Sequence, residues 1–239
     1  MLTTIQQSSI QNRLLSILPP DDFEDIAGKL RPIELPRGTV LATVGKQIEH
    51  VYFLTSGIGS LVATTPEGHK AEAGIFGLDG YVPTTAIAEV ETSSHDVAMQ
   101  VAGDAFLMDY SDFRALMDCN RNFSRVVIRS IEAFSVQLAH TAVSNAVHDV
   151  NQRLARWLLM CHDRVSGNEI GLTHEFISMM LAVRRPSVTT SLHTLEGRGL
   201  IKSQRAMITI RNRSALEEFA HDAYGKPEAA YRRLMKDLF

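Results

Sequence analysis

Residues 183–201 read VRRPSVTTSLHTLEGRGLI, a pair of arginines before a proline and a regular amphipathic pattern. Proline is tolerated in the first turn of a helix, where its missing N–H is not needed, so the pattern predicts a helix that begins at Arg185 and Pro186. Its apolar face, at spacing i, i+4 and i+7, consists of Val188, Leu192 and Leu195. Gly197 and Gly199 are typical of a helix end.

A shorter helix is predicted immediately before this one. Thr173 is a suitable N-cap, because its hydroxyl can accept a hydrogen bond from an exposed backbone N–H. The pattern ends near Ala182, and its apolar face consists of Phe176, Ile177, Met180 and Leu181. Two short helices joined by a tight turn, the second with a polar exposed face, indicate a helix-turn-helix.

The second helix carries side chains suited to a DNA duplex. Positive charge and the positive end of the helix dipole coincide at its N-terminus, the end that enters the major groove first. Arg185 is suited to a bidentate contact with guanine, whereas Thr173 and Arg184 are better placed for phosphates. The polar residues that could reach base edges or phosphates are Ser187, Thr189, Thr190 and His193.

A hairpin, or wing, is predicted after the second helix. Two short apolar segments, 200–202 and 207–210, flank a polar turn. The wing residues that we expect to contact DNA are Lys202, Gln204 and Arg205. Ser214 and Glu217 then form an S-x-x-E pattern, which predicts a capping box at the start of one more helix.

The charge distribution favours the same interpretation. The 239 residues carry a net charge of −3, but residues 1–149 hold 10 Lys and Arg against 18 Asp and Glu, whereas residues 150–239 hold 14 against 9. A basic C-terminal third joined to an acidic N-terminal part is the charge distribution expected when the C-terminal domain binds phosphate groups. Chance clustering of solvated charges is the alternative.

The N-terminal half has a different pattern. From residue 33 to about residue 110, short apolar runs alternate with glycines, which suggests an antiparallel sandwich or barrel. Residues 120–160 contain no Gly or Pro and predict a long helix. Its apolar residues advance by alternating steps of four and three, and this predicts a dimer seam formed by Val127, Ile131, Phe134, Leu138, Thr141 and Asn145. Packing of this helix on its own domain is the alternative.

Composition bounds the class of protein. The apolar fraction of 45% and the charged fraction of 21% are typical of a soluble globular chain. No segment is long enough to span a membrane, and residues 1–20 show no export signal, so we expect a cytoplasmic protein. Two isolated cysteines supply neither a disulfide framework nor a metal cluster.

The segment 172–201 resembles the DNA-binding signature of the bacterial Crp/Fnr superfamily of transcription regulators. The matching residues are Leu172, Thr173, Ile177, Leu181, Arg185, Ser187, Val188, Leu192, Leu195, Glu196, Gly199, Leu200 and Ile201. The resemblance implies an α+β fold with an N-terminal antiparallel β-roll of the cyclic-nucleotide-binding type (1–118), a long dimerisation helix (119–148) and a C-terminal winged helix-turn-helix with a helical tail (149–239). It also implies double-stranded DNA as partner, with RNA polymerase as a further candidate.

Three departures from the family pattern stand out. Ala182 replaces the turn glycine, at a cost on the order of 1 kcal/mol if the position requires a positive φ. Pro186 replaces a common glutamate and Thr190 a later arginine, so a different DNA site is expected. The positions that match the nucleotide-binding Gly-Glu and Arg-Ser pairs are Gly80, Tyr81, Ser93 and Ser94. Both charged members are missing, so we do not expect cyclic AMP. Two isolated cysteines cannot supply the four ligands of an iron–sulfur cluster, and no spacing among the nine histidines points to haem, so no cofactor is predicted and the effector is left open.

The interpretation that these observations favour is a homodimeric, sequence-specific DNA-binding regulator without catalytic residues or a metal site. One alternative is a sensor dimer that has lost DNA binding and acts through protein contacts. Another is a metal-dependent phosphohydrolase that uses the His-Asp dipeptides at 95–96, 148–149, 162–163 and 221–222. These dipeptides share no spacing and fall in unrelated segments, so coincidence explains them better.

Overall fold

A computed structural model describes residues 5–239. After two short helices, α1 (Arg13–Ser16) and α2 (Pro20–Ala27), the N-terminal domain forms two antiparallel sheets. Their strands are β1 (Arg31–Leu35), β2 (Val40–Ala42), β3 (His50–Leu54), β4 (Ile58–Thr64), β5 (Lys70–Phe76), β6 (Asp96–Val101) and β7 (Gly103–Asp109). The strand orders are β1-β7-β3 and β2-β6-β4-β5, and every pairing is antiparallel. The predicted antiparallel β-roll is confirmed.

Two helices follow the strands, α3 (Tyr110–Cys119) and the long α4 (Arg121–Val147). Asn120 separates them and caps α4, since its side-chain oxygen accepts from the backbone N–H of Phe123 at 2.9 Å. A break at His148 and Asp149 then ends α4. Asp149 begins α5 (Val150–His162) with a capping box to Gln152. The segment without Gly or Pro is therefore two helices rather than one.

The predicted dimer seam packs inside its own chain. Val127 is fully buried, and Ile131 packs against the same N-terminal core. The Phe134 ring stacks on Phe76 with ring centroids 4.3 Å apart. A Cβ at Gly74 would lie only 2.9 Å from Leu138 Cδ2, so α4 rests directly on the backbone of β5.

This packing corrects the seam predicted from the sequence. Thr141 is also engaged within the chain, because its hydroxyl donates to the Gln137 carbonyl and accepts from Arg156 Nη2 at 3.2 Å. Of the six predicted residues, only Asn145 is exposed. The apolar residues do repeat in steps of four and three along α4, but the face that they form packs on the β-roll.

The C-terminal domain has the predicted helix-turn-helix and wing. Its elements after α5 are β8 (Glu169–Ile170), α6 (His174–Leu181), α7 (Arg185–Gly197), β9 (Ile201–Gln204), β10 (Met207–Ile210) and α8 (Arg213–Ala220). The sheet order is β8-β10-β9, again antiparallel. The predicted capping box at Ser214 is wrong: Asn212 caps α8 by accepting from the N–H of Ala215, and Glu217 pairs with Arg213 instead.

A last helix, α9 (Lys226–Met235), returns to the N-terminal domain and packs on α4. Arg129 of α4 donates from Nη1 to the carbonyl of Leu234 at 2.9 Å. Met235 and Leu238 are buried among the apolar residues of α1 to α4. The tail, for which the sequence suggests no purpose, thus completes the N-terminal core.

A buried carboxylate joins the two domains. Glu72 of β5 is buried and accepts hydrogen bonds from the Ser60 hydroxyl and from Trp157 Nε1 of α5, the latter at 2.8 Å. Arg156 and Arg164 provide the nearest cationic charge. Burial nevertheless outweighs these stabilising contacts and raises the pKa of Glu72 to about 8.

The raised pKa of Glu72 predicts a stability that falls with rising pH. Between the unfolded pKa of 4.5 and the folded pKa of about 8, the folded state holds a proton that the unfolded state has lost. The free energy of unfolding should therefore decrease by about 1.4 kcal/mol per pH unit from this group and level off above pH 8. Glu72→Gln should lose this slope, so that its stability relative to wild type rises from pH 5 to pH 8 in urea titrations. A wild-type-to-variant difference that is constant with pH would contradict the assignment.

Candidate nucleic-acid interface

The turn between α6 and α7 sets the geometry of the helix-turn-helix. Thr173 caps α6, with its hydroxyl oxygen 3.3 Å from the backbone nitrogen of Phe176. At the other end Ala182 has φ 50° and ψ 45°, and the N–H of Val183 donates to the Ser178 carbonyl at 3.0 Å. This is a Schellman motif with alanine in the left-handed position that favours glycine. The family turn is thus kept in spite of the substitution.

Helix α7 buries one face and exposes the other, as predicted. Val188, Leu192 and Leu195 are at most 1% exposed and belong to the C-terminal core. The helix ends in a second Schellman motif around Gly199, whose φ is 70°. The outward side chains divide into the exposed Arg184, Arg185, Thr190 and His193 and the half-buried Ser187 and Thr189.

The threonine hydroxyls on this face donate to their own helix. Thr190 Oγ1 donates to the Pro186 carbonyl at 3.1 Å. Thr189 Oγ1 lies 3.3 Å from the Arg185 carbonyl and also 3.2 Å from His174 Nδ1 of α6, so of the two hydroxyls only that of Thr190 is directed to solvent. A hydroxyl whose proton is held by the i−4 carbonyl presents its oxygen outward as an acceptor. Amino groups on base edges are therefore the complementary partners.

Arg185 is held by an ion pair in this structure. Its Nη2 lies 2.6 Å from Glu175 Oε2 of α6, and both side chains are more than half exposed. Exposed pairs of this kind contribute only about 0–1 kcal/mol, so a stronger partner could displace Glu175.

The wing residues Lys202, Gln204 and Arg205 are all exposed. Ala206 closes the turn between β9 and β10 with a φ of 58°. Glu196 of α7 accepts from the backbone N–H of Ser203 at 2.9 Å, which fixes the wing relative to the recognition helix.

Sequence reasoning missed one residue at this surface. Arg37, in the turn between β1 and β2, donates from Nη2 to the Thr173 hydroxyl at 3.3 Å. An exposed cation of the N-terminal domain therefore stands beside the N-cap of α6. No local motif could reveal it, because the contact joins residues 136 positions apart.

The four residues predicted for an effector pocket do not line one cavity. Gly80 and Tyr81 line a large cavity between the domains, whereas Ser93 lines a small one in the β-roll. Tyr81 packs in the core against Phe53 and Phe113. Ser93 is buried with its hydroxyl donating to the carbonyl of His95, and Ser94 is exposed.

Neither a metal-ligand cluster nor a membrane span occurs among residues 5–239. No group of three or more His, Cys, Asp or Glu side chains lies close enough to hold an ion. Two of the four His-Asp dipeptides do meet, since His148 Nε2 and His221 Nδ1 each lie 3.0 Å from Asp222 Oδ1. No helix in this range combines the length and apolar character that a bilayer crossing needs.

The elements described so far define a class of protein, one with a β-roll, a long connecting helix and a winged helix-turn-helix. Two family profiles match the same regions: a cyclic nucleotide-binding domain over residues 32–120 and a Crp-like helix-turn-helix domain over residues 152–219. Together they cover more than half of the chain. The chain belongs to the Crp/Fnr superfamily of transcriptional regulators.

Solved structures have the same architecture at low sequence identity. A regulator assigned to the Crp/Fnr family from Eubacterium rectale is 18% identical, with a TM-score of 0.65 over 87% of this chain and 97% of that one. TTHB099, a CRP-family transcriptional regulator from Thermus thermophilus, is 20% identical, with a TM-score of 0.65 over 79% and 96%. The c-di-GMP-responsive regulator CLP of Xanthomonas campestris is 15% identical, with a TM-score of 0.63 over 80% and 99%. No curated protein matches the chain in sequence.

The left-handed conformation of Ala182 predicts a stabilising substitution. Ala182→Gly should raise the free energy of unfolding by up to about 1 kcal/mol, because glycine has no Cβ to strain at φ 50°. The higher entropy of glycine in the unfolded chain offsets part of this gain. Chemical denaturation measures the effect, with Ala229→Gly in α9 as a control that should destabilise. A loss of stability in Ala182→Gly would show that the alanine is not strained.

Proposed function

We propose that this regulator binds a specific DNA sequence by inserting α7 into the major groove. The observation that carries the proposal is the exposed N-terminal end of α7, where Arg184 and Arg185 precede outward-facing Thr190 and His193 on a helix whose other face is buried. Arg185 exchanges its Glu175 partner for the N7 and O6 acceptors of a guanine. Thr190 Oγ1 accepts from an exocyclic amino group of a base, because its hydroxyl proton is already donated to the Pro186 carbonyl.

A second set of groups positions the protein on the DNA backbone. Lys202, Gln204 and Arg205 on the wing contact phosphates of the neighbouring groove, and Arg184 and Thr173 contact phosphates beside α6 and α7. Thr173 keeps a free hydroxyl proton for this purpose, because within residues 5–239 its oxygen accepts from Phe176 and Arg37 and its hydroxyl donates to no partner. We add Arg37 to this set as a phosphate contact from the N-terminal domain. Phosphate contacts fix register but carry no sequence information.

The two sets of contacts predict different mutant behaviour. An operator is first obtained by selection from a random duplex pool. Arg185→Ala should then weaken the free energy of binding to that operator by about 1–3 kcal/mol and change binding to random duplex little. Arg205→Ala should weaken binding to both duplexes alike and reduce the slope of log K against log salt by about one. Fluorescence anisotropy at several salt concentrations measures both effects.

Two controls sharpen this experiment. Arg121→Ala removes an exposed arginine far from α7, at the start of α4, and should change nothing. Glu175→Ala should strengthen binding, because it removes the carboxylate that holds Arg185. Equal losses on operator and random duplex for Arg185→Ala would reject its role as a base contact, and failure to select any operator would reject DNA recognition itself.

We further propose a homodimer whose seam is the exposed face of α4. This face begins one residue along from the seam predicted by the sequence and consists of the exposed residues Ile128, Glu132, Ser135, Ala139, Ala142, Val143, Ala146 and Val147. Three large apolar side chains on this face are exposed to solvent: Ile128 by 53%, Val143 by 51% and Val147 by 68%. Such a cluster of exposed apolar side chains is typical of an interaction surface. The three alanines allow two helices to approach closely. A twofold dimer would place two copies of α7 about one helical turn of DNA apart.

The dimer seam is tested by placing a charge in it. Val143→Glu should give a monomer in light scattering at micromolar concentration, because a buried unpaired carboxylate opposes association. Val44→Glu alters an equally exposed valine of the β-roll, at 56%, and should leave the mass of the wild-type dimer unchanged. A wild-type monomer, or a dimeric Val143→Glu variant, would contradict this seam.

We also propose that cyclic AMP does not control the protein. Residues 71–113 contain no Lys or Arg. The side chains at the family's phosphate-binding positions are uncharged: Tyr81 in the core, Ser93 turned onto a carbonyl, and Ser94. A buried phosphate needs compensating charge or many donors. A contact with RNA polymerase and a cytoplasmic location stay predictions.

A further inference from the structure

A large cavity lies between the two domains and is formed in part by the C-terminal tail. Its volume is about 990 Å³, within the range of sites for small organic ligands. The end of β5, the turn after it and one side of α4 form one wall, and residues of α8, of α9 and of the segment between them form the other. A ligand in this cavity would therefore contact both domains.

The wall from β5 and α4 is flat and apolar. Phe76 and Phe134 stack in contact there, with Ile75 and Ile131 beside them, and Met235 of α9 faces the same space. Gln137 is held on the backbone of β5, since its oxygen accepts from the N–H of Ile75 and one of its two amide N–H groups donates to the Ile75 carbonyl. This wall suits the face of an aromatic ring system.

Within residues 5–239, three of the cations that line the cavity form no ion pair, although Arg13 Nη2 donates to the backbone carbonyl of Asp163 at 3.4 Å. Four acidic side chains line it, and three of them are held by arginines: Asp79 by Arg164, and both Asp163 and Glu217 by Arg213. Glu228 accepts from the backbone N–H of Gly225. Within residues 5–239, no acidic side chain forms an ion pair with the remaining cations, which are Arg13, Arg232 and Lys236. All three are exposed and so lie where the cavity meets solvent.

Two tyrosine hydroxyls of the lining residues have no hydrogen-bond partner. Within the described part of the chain, the buried hydroxyls of Tyr81 and Tyr231 are both unpaired. Burial raises the pKa of both phenols, so that each keeps its proton as a donor. An unpaired buried hydroxyl is costly, and a ligand oxygen that reached either would satisfy it.

We propose that this cavity binds a small amphipathic organic anion, an aromatic body that carries a carboxylate or a similar acidic group. The aromatic body lies against Phe134 and Phe76, and the acidic group faces Arg13 and Arg232 at the rim. Tyr231 donates to an oxygen of the ligand. The site is independent of DNA binding, and only its use as an effector site, by which the ligand would hold the two domains together, rests on the proposed function.

The experiment uses the full chain without DNA, so its outcome does not depend on DNA recognition. Isothermal titration with 2-naphthoate, and fluorescence titration with 8-anilinonaphthalene-1-sulfonate, should each give saturable binding of one molecule per chain. The neutral analogue 2-naphthamide should bind several-fold more weakly. The variant Arg13→Ala/Arg232→Ala should weaken 2-naphthoate by about fivefold and leave 2-naphthamide unchanged. Arg121→Ala, an exposed arginine outside the cavity, is the matched control.

A second pair of variants locates the bound probe. Tyr231→Phe removes an unpaired hydroxyl, so the fold should be kept, and 2-naphthoate should bind about fivefold more weakly. Tyr110→Phe, whose hydroxyl donates to the Val90 carbonyl outside the cavity, should bind it as wild type does. The proposal is overturned if neither anion binds saturably at millimolar concentration. It is equally overturned if 2-naphthamide binds as tightly as 2-naphthoate. The same holds if neither Arg13→Ala/Arg232→Ala nor Tyr231→Phe changes the affinity for 2-naphthoate.

Discussion

The arrangement of the two domains depends on a buried carboxyl group. Glu72 is on the sheet of the N-terminal domain, yet one of its two hydrogen-bond donors, Trp157, belongs to the first helix of the C-terminal domain. If the domains separated, Glu72 Oε1 would lose its only hydrogen-bond donor within residues 5–239, while Oε2 would keep the Ser60 hydroxyl. The apolar core crosses the same boundary, since Ile58 and Ile75 of the N-terminal sheet belong to the same buried cluster as Val188, Leu192 and Leu195 of α7. The orientation of α7 therefore depends on the position of β4 and β5.

Helix α4 shows how far periodicity can define a surface. Its steps of four and three identify a narrow apolar face, but on this helix two such faces lie one residue apart. The face through Val127 and Phe134 packs on the β-roll, while the face through Ile128 and Val143 is exposed. The sequence alone could not distinguish them, because the choice depends on the bare backbone of Gly74 and on the ring of Phe76, which reach α4 only in the folded chain.

The helix-turn-helix was the part most fully determined by local sequence. The cap at Thr173, the start of α7 at Arg185 and its end before Gly199 depend on side chains within a few residues of each other, and all three were predicted. The partners of these residues were not predictable in the same way. Glu175 reaches Arg185 across the turn, and Arg37 reaches Thr173 from the other domain. The cap of α8 was misplaced by two residues, since Asn212 competes for the same N–H groups.

The return of α9 to the N-terminal domain has a consequence for biosynthesis. Met235 and Leu238 fill space among helices that are synthesised before them, so the N-terminal domain cannot complete its apolar core until Leu238 has left the ribosome. The β-roll must wait, with an unfilled apolar surface, while the whole DNA-binding region is translated. Chaperones would therefore have a long time in which to bind the nascent chain. A chain truncated after the wing would contain both domains, but the apolar core of the N-terminal domain would be incomplete.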